Sequence, residues 1–269
     1  MKIIVRHAMG AGGWFICGLI YSMLEYTDTE ITKNGSGHNL EFMYQTHNLD
    51  QLVQGPLASK FWFYTEEEFN ATADISEGVN WFKDHLQFSS SGLVNDWHML
   101  RTHARNLNPL IYAIGVDDVK FINIHHKETE LDQMIYNFVY KTIFTEPRWL
   151  DKHKTGLIDD FHYHYPNEYP HITQDTLIKA IADRDAKFLT WFMKKCWKQY
   201  WERYPLYQPP KEFSVFDMHW HEIADASLND RLLELASFLG VTLSEQHLAR
   251  VKQSVLDYKD LQQRIPFTL

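Results

Sequence analysis

Residues Lys2 to Trp14 read KIIVRHAMGAGGW, and their reading decides the fold. Lys2–His7 is a short β-branched run, Met9 to Gly13 supply a glycine turn, and Trp14 to Glu25 begin an apolar pattern of helical length. The opening is therefore strand, loop, helix. Val119–Ile124 (VKFINI) repeats the theme as a buried strand, and Glu128–Thr142 behind it carries Leu131, Met134, Ile135, Phe138 and Val139 at helical spacing. Trp97–Thr102, Phe61–Tyr64 and Phe213–Phe216 read as further strands. Helices are expected over Glu77–Phe88, near Asn108–Ile114, over the aromatic stretch Ala186–Tyr204, over Leu228–Leu239 up to Gly240, and from Ser244 and Glu245 toward Gln262. Tyr26–Gln54 lacks a period and reads as an irregular excursion; Asp160–His171, broken by Pro166 and Pro170, reads as an ordered loop.

Strands alternating with helices, and separated by more than hairpin loops, predict an α/β fold with a parallel central sheet and helices on both faces. No repeat and no long linker divides the chain, so residues 1–269 read as one domain. In such sheets ligands sit beyond the carboxyl ends of the strands. That brings the loop Arg6–Gly13, the triplet Arg101–His103 and the segment His125–Lys127 toward one another.

Composition narrows the function classes. With 45% hydrophobic and 23% charged residues, the chain can build a core and is neither disordered nor collagen-like. A net charge of −9 disfavours a broad grip on a phosphate backbone, so nucleic acid is not an expected partner. The apolar run Trp14–Leu24 is too short to span a membrane, and Arg6, His7 and three glycines interrupt what a signal peptide would keep continuous. The start reads as mature protein. Cys17 and Cys196 lie far apart without metal spacing and fit a reducing, cytoplasmic setting.

Glycines between a strand and a helix let backbone N–H groups approach an anion, and the helix N-terminus adds about half a positive charge. Arg6, His7, Gly10, Ala11, Gly12, Gly13 and Trp14 are the candidate anion-binding residues. The loop is not a Walker A motif, since no Gly-Lys-Ser/Thr follows, nor a dinucleotide fingerprint, since Phe15 takes the third small position. In Arg101-Thr102-His103 a histidine can take a proton near neutral pH while an adjacent arginine stabilises charge on a transferring group.

These pieces, in this order, together with Trp220-His221-Glu222-Ile223 and the helix ending Phe238-Leu239-Gly240, resemble the sulfotransferase superfamily. The resemblance implies a P-loop NTPase-like sulfotransferase architecture with Met9 to Trp14 around the 5′-phosphosulfate of PAPS (3′-phosphoadenosine-5′-phosphosulfate). It implies His103 as general base and Arg101 beside it, with His126 at the place of the family's 3′-phosphate arginine and Met134 at that of its serine. The acceptor would be the hydroxyl or amine of a small molecule or glycan, and no metal would take part. The chain departs from the family in lacking the loop lysine and the late Arg-Lys-Gly loop.

Two other readings stand beside it. A degenerate member would bind a nucleotide or anion without turnover, which the missing lysine favours. A metal-dependent hydrolase would use His162-x-His164 with His171, or His219-x-His221 with Glu222, because residues two apart in an extended segment face the same side. The aromatic stretch Ala186–Tyr204, with Lys194, Lys195 and Lys198, reads as a core helix with a solvated basic face.

Overall fold

A computed structural model describes residues 2–8, 10–24, 46–48, 99–102, 119–145, 147–204, 207–209, 211–224 and 228–263. The described chain falls into two compact units, one holding the sheet (Met1–His126 with Arg203–Gln263) and one helical (Lys127–Glu202 with Arg264–Leu269).

The sheet unit contains five parallel strands: β1 (Lys2–His7), β2 (Thr46–Asn48), β3 (Met99–Thr102), β4 (Val119–His125) and β5 (Ser214–His219). Their order is β2-β3-β1-β4-β5, so β1 is central, with Val5 level with Arg101 on one side and Ile122 on the other. A central parallel strand covered on both faces reads as a continuous apolar run over its middle, and Ile3, Ile4 and Val5 are all buried. After β1 the chain turns into α1 (Gly13–Met23), whose Phe15, Ile16, Cys17, Leu19, Ile20 and Met23 are buried almost all the way round. A helix has that pattern when it is enclosed on two sides. Here α1 packs on β1 and β3 and also on α9 (Glu245–Gln263), where Phe15 stacks on Tyr258 with ring centroids 3.9 Å apart. Between β5 and α9 lie α7 (Trp220–Ala224) and α8 (Leu228–Leu239), and Gly240 ends α8 at φ 76°.

The helical unit holds α2 (Leu131–Phe138), continued by a π-turn over Val139–Ile143, then α3 (Pro147–His164), α4 (Gln174–Ala182) and α5 (Ala186–Cys196). The short α6 (Lys198–Arg203) runs up to the boundary between the units. Helix α5 packs against α2, α3 and α4. Phe161 centres this packing, 5.0 Å from Phe192, 5.3 Å from Tyr165 and 5.9 Å from Trp191 between ring centroids.

The expected parallel α/β architecture is present, with four corrections of detail. Asp160–His164 is helical, not loop: α3 starts on Pro147, whose fixed φ suits a first helical position, and stops before Pro166, which cannot continue it. The excursion Tyr26–Gln54 contributes the edge strand β2, beside β3. The aromatic helix breaks at Trp197, where ψ turns to 32°. Strand β5 runs on to His219 rather than ending at Phe216. Phe61–Tyr64, Glu77–Phe88 and Asn108–Ile114 lie outside the described residues. Among the described residues no helix is long and apolar enough to cross a membrane.

Candidate functional site

Beyond the carboxyl end of β1 the chain makes a tight bend. Gly10 and Gly12 take φ of 78° and 70°, a left-handed backbone that L side chains avoid, and the Ala11 amide closes the bend on the Ala8 carbonyl at 3.1 Å. The Gly12 carbonyl accepts from Ile16 N–H at 3.1 Å, which starts the ladder of α1. The N–H groups of Gly13, Trp14 and Phe15 precede any intrahelical acceptor and carry the positive end of the helix. Gly10 and Gly12 keep partial exposure, whereas Ala11 and Gly13 are buried. Gly13 is glycine for reasons of contact: a Cβ there would lie 2.0 Å from Cδ2 of His7. The His7 ring is buried against the start of α1, its Nδ1–H donating to the Ala8 carbonyl at 3.1 Å.

Arg6 alternates with His7 and so faces the opposite side of the sheet. It is fully buried. Its guanidinium donates to Asn123 Oδ1 at 2.9 Å and to the Tyr204 carbonyl at 2.7 Å, and its carbon lies 3.7 Å from the Tyr204 ring centroid and 4.6 Å from that of Tyr207. Burial of an ion this complete is tolerable only with donors satisfied and aromatic faces in place of water. Arg6 is thus committed to protein groups, and among the bend residues positive charge comes from backbone N–H groups and the helix dipole. His126, just past β4, is also buried, its ring 5.8 Å from that of Tyr204.

Register places a polar row across three strands, with Arg6 beside Asn123 and Asn123 beside Asp217. One step toward the carboxyl edge, His125 is level with His219, their rings 6.0 Å apart. The side chains join into a network. Because Arg6 holds Asn123 Oδ1, the Asn123 amide nitrogen turns to Asp217 Oδ1 at 3.1 Å, with His125 Nε2 2.8 Å away. Asp217 Oδ1 also lies 2.5 Å from His125 Nε2. Nε2 of His125 thus lies between an acceptor, Asp217 Oδ1, and a donor, the Asn123 amide nitrogen, and it serves one or the other according to the tautomer of the ring. Arg231 of α8 holds the strand end, bonding the Asp217 carbonyl and Glu234 and lying 3.4 Å from Glu222. Glu222 in turn accepts from the His219 amide at 2.8 Å.

His125 falls in the segment expected at the carboxyl edge of the sheet, whereas Asn123 and Asp217 carry no role in the sequence reading. Their signal is a polar alternation, Asn123-x-His125 and Asp217-x-His219, at the carboxyl ends of two strands. Arg101 lies on β3, level with Val5 and Asn48, and His103 lies outside the described residues. The extended histidine pairs expected for a metal do not occur. His162 and His164 sit on α3, where residues two apart point about 200° from each other, and His162 Nε2 is bonded to the Ile172 carbonyl at 2.8 Å. His219 and His221 straddle the junction of β5 and α7. Among the described residues no group of three or more His, Cys, Asp or Glu side chains is placed to hold a metal ion. The chain matches no family model, no curated protein and no solved structure.

Proposed function

We propose that this chain is a sulfotransferase-like protein of P-loop NTPase-like architecture, taking the phosphosulfate of PAPS at the β1–α1 bend and passing the sulfuryl group to a hydroxyl or amine. One observation carries the reading: a bend with two left-handed glycines joins the central strand of a parallel sheet to a buried helix. From β1 the chain goes out to β2 and β3 on one side and then to β4 and β5 on the other. That reversal is where parallel sheets open a crevice for ligands, and N–H groups at a helix start suit a phosphate.

In the proposed reaction the acceptor oxygen or nitrogen attacks sulfur in line while the sulfur–oxygen bond to the phosphate breaks. The charge arriving on the bisphosphate is met by the N–H groups of Gly12, Gly13, Trp14 and Phe15, fixed before the reaction begins. The resemblance assigns the acceptor's proton to His103 and a supporting charge to Arg101. A second reading, binding without turnover, draws on the commitment of Arg6 to Asn123 and Tyr204 and on the absence of a lysine from the bend.

Thermal denaturation with adenosine 3′,5′-bisphosphate tests the cradle, since a ligand selective for the folded state raises its melting temperature. The expected result is a rise that Gly12→Ala abolishes; no rise at millimolar ligand defeats the proposal. Transfer of labelled sulfate from PAPS then separates the readings. Binding without transfer to any acceptor selects the non-catalytic one, and transfer that His103→Ala leaves unchanged removes His103 from the mechanism.

A further inference from the structure

The bend contains no lysine, and Arg6 is committed to Asn123 and Tyr204, so no side chain of the bend keeps a permanent positive charge for a ligand. We propose that His7 supplies that charge conditionally, taking up a proton as the anion binds, so that the cradle tightens in mild acid. The inference rests on the reading of the β1–α1 bend as an anion site and adds the regulation of that site by pH. Three observations carry it. His7 ends β1 at the carboxyl edge of the sheet and is only 3% exposed. Its ring lies against the start of α1, because a Cβ on Gly13, the first residue of that helix, would fall on Cδ2 and Nε2. The tautomer is set as well: a carbonyl only accepts, so the 3.1 Å bond to Ala8 puts the ring proton on Nδ1 and makes Nε2 the nitrogen that takes a second.

The elements packed on β1 are α1, β3 and β4. Helix α1 has Cys17 and Tyr21 as its titratable residues and contains no Asp, Glu, Lys, Arg or His. On β3, Arg101 stands level with Val5, and on β4 Lys120 stands level with Ile3, its ammonium held by the Phe238 carbonyl. Burial and the positive end of α1 both weigh against a charged ring in the free protein. An anion seated on the N–H groups of Gly13, Trp14 and Phe15 reverses that balance, since an opposite charge beside the ring favours the imidazolium. The proton comes from solvent and returns there when the ligand leaves. By linkage, a complex that binds one proton more than its free parts loses affinity as pH rises, by up to about tenfold per pH unit. A lysine would hold its charge throughout this range, whereas histidine makes it depend on pH.

The test is calorimetric titration of wild type and His7→Gln with adenosine 3′,5′-bisphosphate between about pH 6.5 and 8.5, the range in which an imidazole discharges. Heats taken in two buffers of different ionisation enthalpy count the protons taken up. Wild type is expected to absorb up to about one proton more per ligand than His7→Gln and to lose affinity more steeply with pH. The ligand's own phosphates titrate near pH 6 for both proteins, so the difference between them reports the ring. Nitrogen-15 spectra of wild type alone supply a reading that does not depend on the variant folding: the ring in contact with the Gly13 protons should pass from one protonated nitrogen to two on saturation. Equal proton uptake by the two proteins, or a His7 ring that stays neutral in the saturated complex, overturns the inference while leaving the cradle standing. Absence of bisphosphate binding by wild type at every pH is the separate outcome that removes the cradle and this inference with it.

Discussion

In the sheet unit the buried polar side chains of Arg6 and Asn123 reach across strands to join Asp217 and His125 into one network, whereas in the helical unit the buried Cys196 makes a single bond and the buried Thr190 hydroxyl makes none. There the Cys196 thiol donates to the Leu157 carbonyl at 3.2 Å, and burial first, with the Asp160 charge second, pushes its pKa far upward. A thiol kept protonated in this way is inert packing. Lys141, in the π-turn, has its pKa lowered to about 8 by burial. The difference separates polarity kept for a site from polarity tolerated by a core. A network spends several hydrogen bonds on fixing one side chain, while a single bond merely offsets the cost of desolvation.

The largest expected effect lies in the network. Arg6→Met would strip Asn123 Oδ1 and the Tyr204 carbonyl of a charged donor within a buried setting and would loosen the packing against Tyr204 and Tyr207. A loss of about 3–5 kcal/mol is expected from the unsatisfied groups and the poorer fit together. Arg6→Lys should recover little of it, because an ammonium cannot reproduce the planar fork. Urea unfolding reads this directly. A loss below about 1 kcal/mol would place Arg6 among ordinary buried groups, which typically answer for that much, and would dissolve the contrast between the units.

The second effect concerns the bend. Gly13→Ala drives a methyl group into the His7 ring, and because that ring is buried it has little room to turn away. A loss of about 1–3 kcal/mol is expected, as for other overpacked sites. In a His7→Ala background the same substitution should cost far less, so the two changes should be strongly non-additive. Additive losses would show that the ring gives way freely and that glycine at position 13 answers to something other than His7.

Much of this architecture was legible in the residues themselves. β1, β4, α8 and α9 announce themselves through β-branched apolar runs or helical spacing closed by Gly240 or opened by Ser244, which caps the His247 amide at 3.2 Å. The bend was legible because glycine is the residue type that left-handed backbone demands. Asp160–His164 reads as loop in the sequence because Pro166 and Pro170 follow it, yet proline excludes helix only at and just before its own position, and α3 runs on to His164. The His125–Asp217 pair was hidden for a different reason. Its members are 92 residues apart, and only the register of β4 against β5 brings them together. The alternation that puts each on the right face is visible in either strand, but a partner is a property of the sheet.

The smallest effect tests the other side of the contrast and turns on pH. Lys141 has a folded-state pKa near 8 against an ordinary 10.5, so between those values the unfolded chain binds more protons than the folded one. Stability must then rise as pH climbs from about 8 to 10.5, with the full cost of burying the ammonium present below about 8. Lys141→Met keeps the length of the side chain and removes the charge. It should raise stability at pH 7 by about 1–2 kcal/mol, after allowance for partial hydration of the ammonium, and flatten the rise with pH. Urea unfolding at pH 7, 8.5 and 10 measures both. If the wild-type slope survives the substitution, the proton released on folding belongs to another group. If Lys141→Met instead destabilises the protein at every pH, the contacts of the lysine side chain outweigh the cost of burying its charge.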